Sequence, residues 1–228
     1  MRRRRVRMQQ QAIVAGYSIK EELAHSVSHG IGLLLSVAGL ATLIVYSSLY
    51  GDVWHIVSSG IYGASLIALY TSSTLYHAVT VPDLKKLLQK IDHAAIFILI
   101  AGTYTPFTLV NLRGGWGWTL FGMVWSIAIA GMIMEMIVKK RYKRVSLSLY
   151  LGLGWLVMIA IKPMIANVEM GGLILLFVGG LFYSLGVIFY VWKTLVYHHA
   201  IWHLFVLAGS ACHFFAIFFY VIPNAAEV

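Results

Sequence analysis

Residues 171–192 read GGLILLFVGGLFYSLGVIFYVW and contain no charged side chain. A helix that crosses the hydrocarbon core of a membrane needs about 20 mostly apolar residues. An uncharged run of this length is too long for an ordinary buried core helix, so it predicts a transmembrane helix. The rest of the chain repeats this pattern.

Six further apolar stretches of similar character are separated by short polar breaks. They cover residues 26–49, 54–78, 91–112, 116–138, 145–161 and 199–222. The breaks contain Gly51-Asp52, Pro82-Asp83, the polar turn 111–115 and Pro163, all of which are residues that interrupt helices or favour turns. The sequence therefore predicts an all-α membrane protein, a bundle of seven transmembrane helices.

The overall composition excludes a soluble or a disordered protein. The chain has 228 residues, of which 60% are hydrophobic and 11% are charged, whereas a soluble domain carries roughly 25% charged residues. Disordered chains are poor in apolar residues, so this class is excluded as well. A single cysteine, Cys212, excludes a disulfide framework and a zinc cluster built from thiolates.

The positive charges are distributed unevenly along the predicted spans. With the N-terminus in the cytoplasm, fifteen of the seventeen Lys and Arg residues fall on the cytoplasmic side, and only Arg113 and Lys162 fall outside. Cytoplasmic loops of membrane proteins carry an excess of Lys and Arg. The charge pattern thus predicts a cytoplasmic N-terminus and a C-terminus on the outer side.

This topology also sets the predicted domain organisation. Residues 1–20 form a basic cytoplasmic tail, residues 21–223 a single transmembrane domain and residues 224–228 a short outer tail. The net charge of +9 reports orientation in the membrane, so no nucleic-acid partner is expected. The sequence alone leaves the oligomeric state open.

Polar residues that topology does not explain gather at one predicted depth. Ionisable side chains in or near spans are rare and mark functional sites, and here seven of the nine histidines lie near predicted cytoplasmic span ends. Residues spaced by three or four share one face of a helix. Three groups of residues follow this spacing: Glu22, His25 and His29; Ser73 and His77; His199 and His203. Asp92 lies at a similar predicted depth on a further span.

Several imidazoles at one depth predict a metal site. Neutral histidine suits zinc, copper, iron or nickel, and three histidines with one open position are typical of catalytic zinc. One histidine pair alone would more often be an ordinary interfacial or core pair, so the prediction depends on the convergence of several helices. Haem held between histidine pairs is a minor alternative.

The motifs resemble those of the progestin and adipoQ receptor superfamily, whose bacterial branch is the haemolysin III family. The resemblance covers about residues 17–221 and rests on motifs that occur in the expected order. These motifs are Glu22-x-x-His25-x-x-x-His29, Ser73-x-x-x-His77, Asp92, Gly102-Thr103-x-x-Pro106 and His199-x-x-x-His203. It implies a multi-pass protein of the bacterial inner membrane.

The resemblance also implies a set of site residues. It assigns His77, His199 and His203 as ligands of a zinc ion near the inner leaflet, Asp92 as the acid that hydrogen-bonds a water at the zinc, and Ser73 as its companion. The family usually has asparagine at the position of His25. The roles of Glu22, His25 and His29 therefore stay open between supporting the ligands and serving as alternative ligands.

The chemistry of such a site suggests a function. Distant relatives include alkaline ceramidases, so the resemblance implies a zinc-dependent lipid hydrolase, an amidase or esterase, with a membrane lipid as substrate. In it Asp92 would be the general base, and Ser73 would position water or stabilise an oxyanion. The alternatives are a receptor or sensor with structural zinc, and a haemolysin-type protein that lyses membranes.

Overall fold

The computed structural model describes residues 13–14, 16–138 and 143–223. Most of the predicted basic tail, the cations Lys139, Lys140 and Arg141, and the predicted outer tail 224–228 lie outside these residues. The described segments contain seven helical spans that are long and apolar enough to cross a membrane. The prediction of a seven-helix membrane bundle is confirmed.

The chain begins, in its described part, with a two-residue ladder in which β1 (Ile13–Val14) pairs antiparallel with β2 (Tyr17–Ser18). Five of the seven spans consist of one α-helix each, the third continues from its α-helix into a π-helical segment, Phe107–Asn111, and the fifth consists of two helices joined by a 3₁₀ segment, Trp155–Ala160. The helices are α1 (Ile19–Tyr50), α2 (Val53–Ala78), α3 (Pro82–Pro106), α4 (Gly115–Ile137), α5 (Lys143–Gly154), α6 (Ile161–Asn167), α7 (Met170–Val191) and α8 (His198–Tyr220).

The first two helices begin at side chains that cap them. The Ser18 hydroxyl accepts a hydrogen bond from the Glu21 amide, and the Glu21 carboxylate accepts one from the Ser18 amide, which forms a capping box at the start of α1. The Asp52 carboxylate accepts hydrogen bonds from the amides of Trp54 and His55 at the start of α2. Local sequence therefore sets where α1 and α2 begin.

Two prolines that were predicted to lie between spans each lie in the first turn of a helix. Pro82 opens α3 at a position where its missing N–H would have no partner within the helix, so the helix starts nine residues before the predicted start at residue 91. Pro163 lies in the first turn of α6, which is also compatible with a helix. The fifth span consequently runs to Asn167 and exceeds its predicted end at residue 161.

The spans pack as neighbours in chain order, and α8 returns to contact α1. The third span is the most enclosed, since 72% of its apolar stretch is buried against 17% for α7. Large apolar side chains face outward elsewhere, for example Leu34 at 73% exposure. A water-soluble protein would bury such side chains, so these faces are the lipid-facing surface of the bundle.

Close helix packing depends on small residues, and Gly32 of α1 is a case that can be tested. A methyl group at Gly32 would lie 2.6 Å from the Tyr70 ring and 2.8 Å from Leu207, so α2 and α8 would have to move. We expect Gly32→Ala to lower the free energy of unfolding by about 1–3 kcal/mol. Thermal unfolding in detergent measures this loss.

Gly122 of α4 provides the matched control for this change. No described heavy atom lies within 4 Å of a methyl group placed there. Gly122→Ala should leave the unfolding temperature unchanged or raise it slightly, because alanine favours helix over glycine. Equal effects of the two substitutions would contradict the packing explanation.

Candidate metal centre

Three helix ends meet at one end of the bundle and bring four histidines together. His25 lies near the start of α1, His77 in the last turn of α2, and His199 and His203 in the first turns of α8. We call these residues the four-histidine cluster. Their side chains are buried, with residue exposures between 0 and 7%.

Three members of this cluster, His77, His199 and His203, form the predicted ligand triad. One ring nitrogen of each lies within 4.8 Å of those of the other two, which is close enough for one metal ion to be shared. Among the described residues, the Nε2 of His77 and the Nδ1 of His199 have no hydrogen-bond partner although they are buried. Unpaired buried nitrogens are costly, and a metal ion would satisfy them. The residues present therefore fit a zinc ion.

Glu22 of α1 orients the first ligand of the triad. Its Oε2 lies 2.7 Å from the Nδ1 of His77, so the His77 Nδ1–H donates to the carboxylate and leaves Nε2 as the nitrogen that can bind metal. The Nζ of Lys85 lies 3.1 Å from the Oε1 of Glu22 and neutralises this buried carboxylate. Glu22 thus accepts a hydrogen bond from a candidate metal ligand, which is a common role for a carboxylate in zinc sites.

The ring of His203 is oriented by α1. Its Nδ1 lies 3.0 Å from the Ser28 Oγ and 3.2 Å from the carbonyl oxygen of His25. Because a carbonyl only accepts hydrogen bonds, Nδ1 carries the proton and Nε2 remains available as a ligand. Two members of the triad are therefore held in the tautomer that a metal requires.

Two aromatic residues and a further histidine border the cluster. The ring of His29 stacks on His203 with centroids 3.5 Å apart and meets the edge of Tyr70 at 5.0 Å. Tyr17 of β2 stacks against His199 at 5.4 Å and lies edge-on to His25 at 4.9 Å. Burial raises the pKa of Tyr17 well above its usual range, so its hydroxyl stays protonated.

The predicted acid and serine share a cavity with two of the ligands. Ser73, Asp92, His199 and His203 all line a cavity of about 500 Å³. Asp92 and Ser73 are themselves buried. The predicted catalytic pair and two of the ligands therefore face one common cavity.

The similarity of this chain to known proteins extends over all the residues of the site. A family model described as haemolysin-III related matches residues 17–214, which include every residue of the site described above. The chain belongs to the haemolysin III family. The resemblance inferred from the sequence motifs is confirmed, and the protein is a multi-pass bacterial membrane protein.

Relatives of this haemolysin III family member match over nearly their whole length. The Hemolysin-3 homolog of Bacillus subtilis (strain 168) is 50% identical over 206 residues, which are 90% of this chain and 97% of that protein. Hemolysin-3 of Bacillus cereus is 46% identical over 208 residues, 91% of this chain and 95% of that protein. Human Monocyte to macrophage differentiation factor is 30% identical over 213 residues, 91% of this chain and 87% of that protein.

Two residues of the site in this haemolysin III chain are not predictable from its sequence. The charge pattern marks Lys85 only as one of the cations that indicate topology, yet it is 4% exposed and also donates hydrogen bonds to the carbonyls of Tyr76 and Val79. Tyr17 lies outside the predicted spans. Neither residue is related to the histidines of the cluster by helical spacing. Each lies on a segment other than the helix faces that carry those histidines.

A further buried acid, Glu135 of α4, belongs to a separate polar group of the haemolysin III bundle. The four-residue spacing from Glu135 to Lys139 predicts an ordinary helix pair, but Lys139 lies outside the described residues. In the structure the Glu135 carboxylate accepts hydrogen bonds from the hydroxyls of Ser146 and Tyr150. These bonds join α4 to α5 and explain how a carboxylate is accommodated inside the bundle.

The role of Glu22 leads to a testable expectation for metal affinity in this haemolysin III family member. Glu22→Gln removes the charge that polarises His77 and pairs with Lys85, while keeping the shape of the side chain. We expect the affinity for zinc to fall by about 10–100-fold, as is usual when a supporting partner of a ligand is lost. Competition with a chelator of known affinity measures the change.

Glu21→Gln is the matched control for the Glu22 substitution. Glu21 is the neighbouring residue and its carboxylate accepts from Ser18, a capping role that glutamine can also fill. The control should bind zinc as the unmodified protein does. An affinity unchanged in Glu22→Gln, or lowered equally in both variants, would contradict the supporting role of Glu22.

Proposed function

We propose that the protein is a zinc-dependent lipid hydrolase, a ceramidase-like amidase or esterase, whose substrate enters from the membrane. The observation that carries the proposal is the shared cavity. One continuous space is lined by two histidines of the ligand triad, by Asp92 and Ser73, and by an otherwise mainly apolar wall. Such a space suits a molecule with a polar head and a long apolar chain.

The dimensions of the cavity support an acyl chain as occupant. Its volume of about 500 Å³ lies in the range of small-molecule sites. It extends along the third span, since Asp92 and Phe107 both line it and are separated by about 22 Å of helix. A head group at Asp92 would therefore leave the chain to run along the apolar wall.

The cavity wall also includes residues on the outer surface of the bundle. Met158 of the fifth span and Phe177 of α7 line the cavity, and they are 52% and 55% exposed. Side chains that line a cavity and also face the lipid indicate an opening between these two spans. A lipid could enter there sideways and keep its apolar chain out of water throughout.

The roles of the residues follow from their positions. His77, His199 and His203 would hold zinc, which when bound acidifies a water and polarises a carbonyl group. Glu22 keeps His77 in the tautomer that binds metal, and the carbonyl oxygen of His25 does the same for His203. Asp92 accepts the proton of the attacking water, and Ser73 orients the substrate carbonyl or the water from its place in the same cavity.

The direct test of the proposal is hydrolysis by the purified protein. Protein loaded with zinc is incubated in mixed micelles with ceramide, with a diacyl phospholipid and with a short-chain water-soluble ester, and released fatty acid is measured. We expect release from at least one long-chain lipid, little release from the short ester, and loss of activity after chelation. Turnover that persists without metal would exclude the proposed chemistry.

A further inference from the structure

His25 is the most completely enclosed member of the four-histidine cluster, and neither of its ring nitrogens makes a hydrogen bond within the described part of the chain. Its exposure is 0%, and neither ring nitrogen has a hydrogen-bond partner among the described residues. An ordinary core histidine is hydrogen-bonded through at least one nitrogen, because leaving a buried polar atom unpaired costs about 1–3 kcal/mol. The environment of His25 therefore calls for a ligand.

The rings of the cluster surround a common point. The centroid of His25 lies 4.7 Å from that of His77, 4.8 Å from that of His199 and 5.4 Å from that of His203. The three distances within the ligand triad are 5.2, 5.1 and 4.6 Å. Six similar separations between four points describe a tetrahedron. Four imidazoles bound to one zinc ion have ring centres about 5 Å apart, given Zn–N bonds of about 2.0–2.1 Å.

We propose that His25 is a fourth ligand of the metal ion held by His77, His199 and His203, so that the resting site is closed by four imidazoles. The inference rests on the metal centre of the proposed function and specifies its resting state. The ring centre of His25 is already in place, and its Nδ1 is turned towards Glu22, at 3.9 Å from Oε2. Rotation of the ring in place would give up this 3.9 Å contact and would present a nitrogen to the triad.

A second ion bound by Glu22, His25 and His77 is the competing explanation, since their ligand atoms also lie within 4.8 Å of one another. The surroundings of Glu22 argue against it. The Oε1 of this carboxylate already contacts the Lys85 ammonium at 3.1 Å, and Oε2 already accepts from His77 at 2.7 Å. A second cation would be repelled by Lys85 and would have to displace the proton on His77 Nδ1.

A closed site has a direct consequence for the proposed hydrolase. Structural zinc sites have four protein ligands, whereas catalytic sites keep one position for water or substrate. His25 would therefore have to leave the metal before a water could take its place. On this proposal the site can act on a lipid only after His25 has left the metal.

The test counts ligands by spectroscopy, without depending on activity. Protein loaded with Co²⁺ in place of zinc is titrated with azide, and the zinc form is measured by X-ray absorption. We expect one metal ion per chain, four imidazole ligands and a cobalt spectrum that azide does not change. These measurements on the unmodified protein remain decisive even if a variant fails to fold.

The variant His25→Asn supplies the second arm. This variant should show three imidazole ligands and a cobalt spectrum that shifts with azide. It should also release metal to a chelator faster by at least about 10–100-fold, because removing only a supporting partner of a ligand already lowers metal affinity by that factor. His55→Asn is the control, because His55 lies at the opposite end of α2 and contacts Asp52. It should match the unmodified protein.

Two results would overturn the inference. One is an azide-sensitive spectrum in the unmodified protein that His25→Asn leaves unchanged. The other is two metal ions per chain, with one lost in His25→Asn. Fatty-acid release is measured on the same samples, and its absence alongside the expected spectra would overturn the proposed hydrolase while the four-histidine site stands. If both proposals hold, His25→Asn hydrolyses lipid faster than the unmodified protein.

Discussion

Replacing His203 by alanine is expected to weaken metal binding strongly. The purified protein should contain about one zinc ion per chain, and the variant should contain a small fraction of that, because the loss of His203 removes one ligand of the triad and leaves at most three imidazoles, His25 included, to hold the ion. His203 contributes a buried ring whose Nδ1 is already engaged by Ser28, so it has one nitrogen to offer. Elemental analysis after gel filtration in metal-free buffer measures the content.

His213→Ala provides the comparison on the same helix. It lies ten residues beyond His203, about 15 Å further along α8, and its Nε2 contacts the carbonyl oxygen of Leu176 at 3.1 Å. Its zinc content should equal that of the unmodified protein. Full zinc content in His203→Ala, or equal loss in both variants, would refute the assignment of His203.

The His203→Ala substitution should also change how the stability of the fold responds to a chelator. His77 belongs to α2, while His199 and His203 belong to α8, so an ion held by the triad links two spans that are distant in sequence. Ligands that bind only the folded state stabilise it. Chelation should lower the unfolding temperature of the unmodified protein and leave that of His203→Ala unchanged.

The second large effect is expected from Asp92→Asn. The amide keeps the shape of the side chain but cannot accept a proton from water, so fatty-acid release should fall by about 10²–10⁴-fold, the usual contribution of a general base. The zinc content should stay the same, because Asp92 is not among the residues that form the ligand triad. Initial rates at saturating lipid and parallel metal analysis give both quantities.

Asp83→Asn is the control for the loss of a carboxylate from the same helix. The Asp83 side chain is 94% exposed and pairs with Lys86 at 3.0 Å in the first turn of α3. Exposed pairs of this kind contribute little to stability, so hydrolysis should be unaffected. Normal release of fatty acid by Asp92→Asn would remove Asp92 from the mechanism.

Local patterns in the sequence were sufficient to predict the spans. The uncharged run 171–192 corresponds to α7, and the other six apolar stretches each correspond to a described span. Their ends were predicted less well, because apolar composition shows what can lie in the membrane but does not show where hydrogen bonding stops. Pro82 and Pro163 both lie inside helices, at first-turn positions that composition cannot distinguish from a break.

The candidate site was predicted in part for a similar reason. Helical spacing places His199 and His203 on one face of α8, and it places Glu22 and His25 on one face of α1, whatever the rest of the fold does. It cannot show that Glu22 reaches His77, which lies 55 positions further along the chain. The burial of Lys85 beside Glu22 was not predicted, since the residue follows a proline in a segment that resembles a polar loop.

The sequence by itself determined the class of the protein, the number of its spans and the helix faces that carry its polar residues. These properties depend on composition and on the fixed period of the helix, which act over a few turns. Only the tertiary structure decided that α1, α2 and α8 converge, that Glu22 and the carbonyl oxygen of His25 select the ring tautomers, and that the ring of His25 completes a tetrahedron of imidazoles. Such contacts depend on how neighbouring helices pack against one another, and no local pattern encodes the distance between two helices.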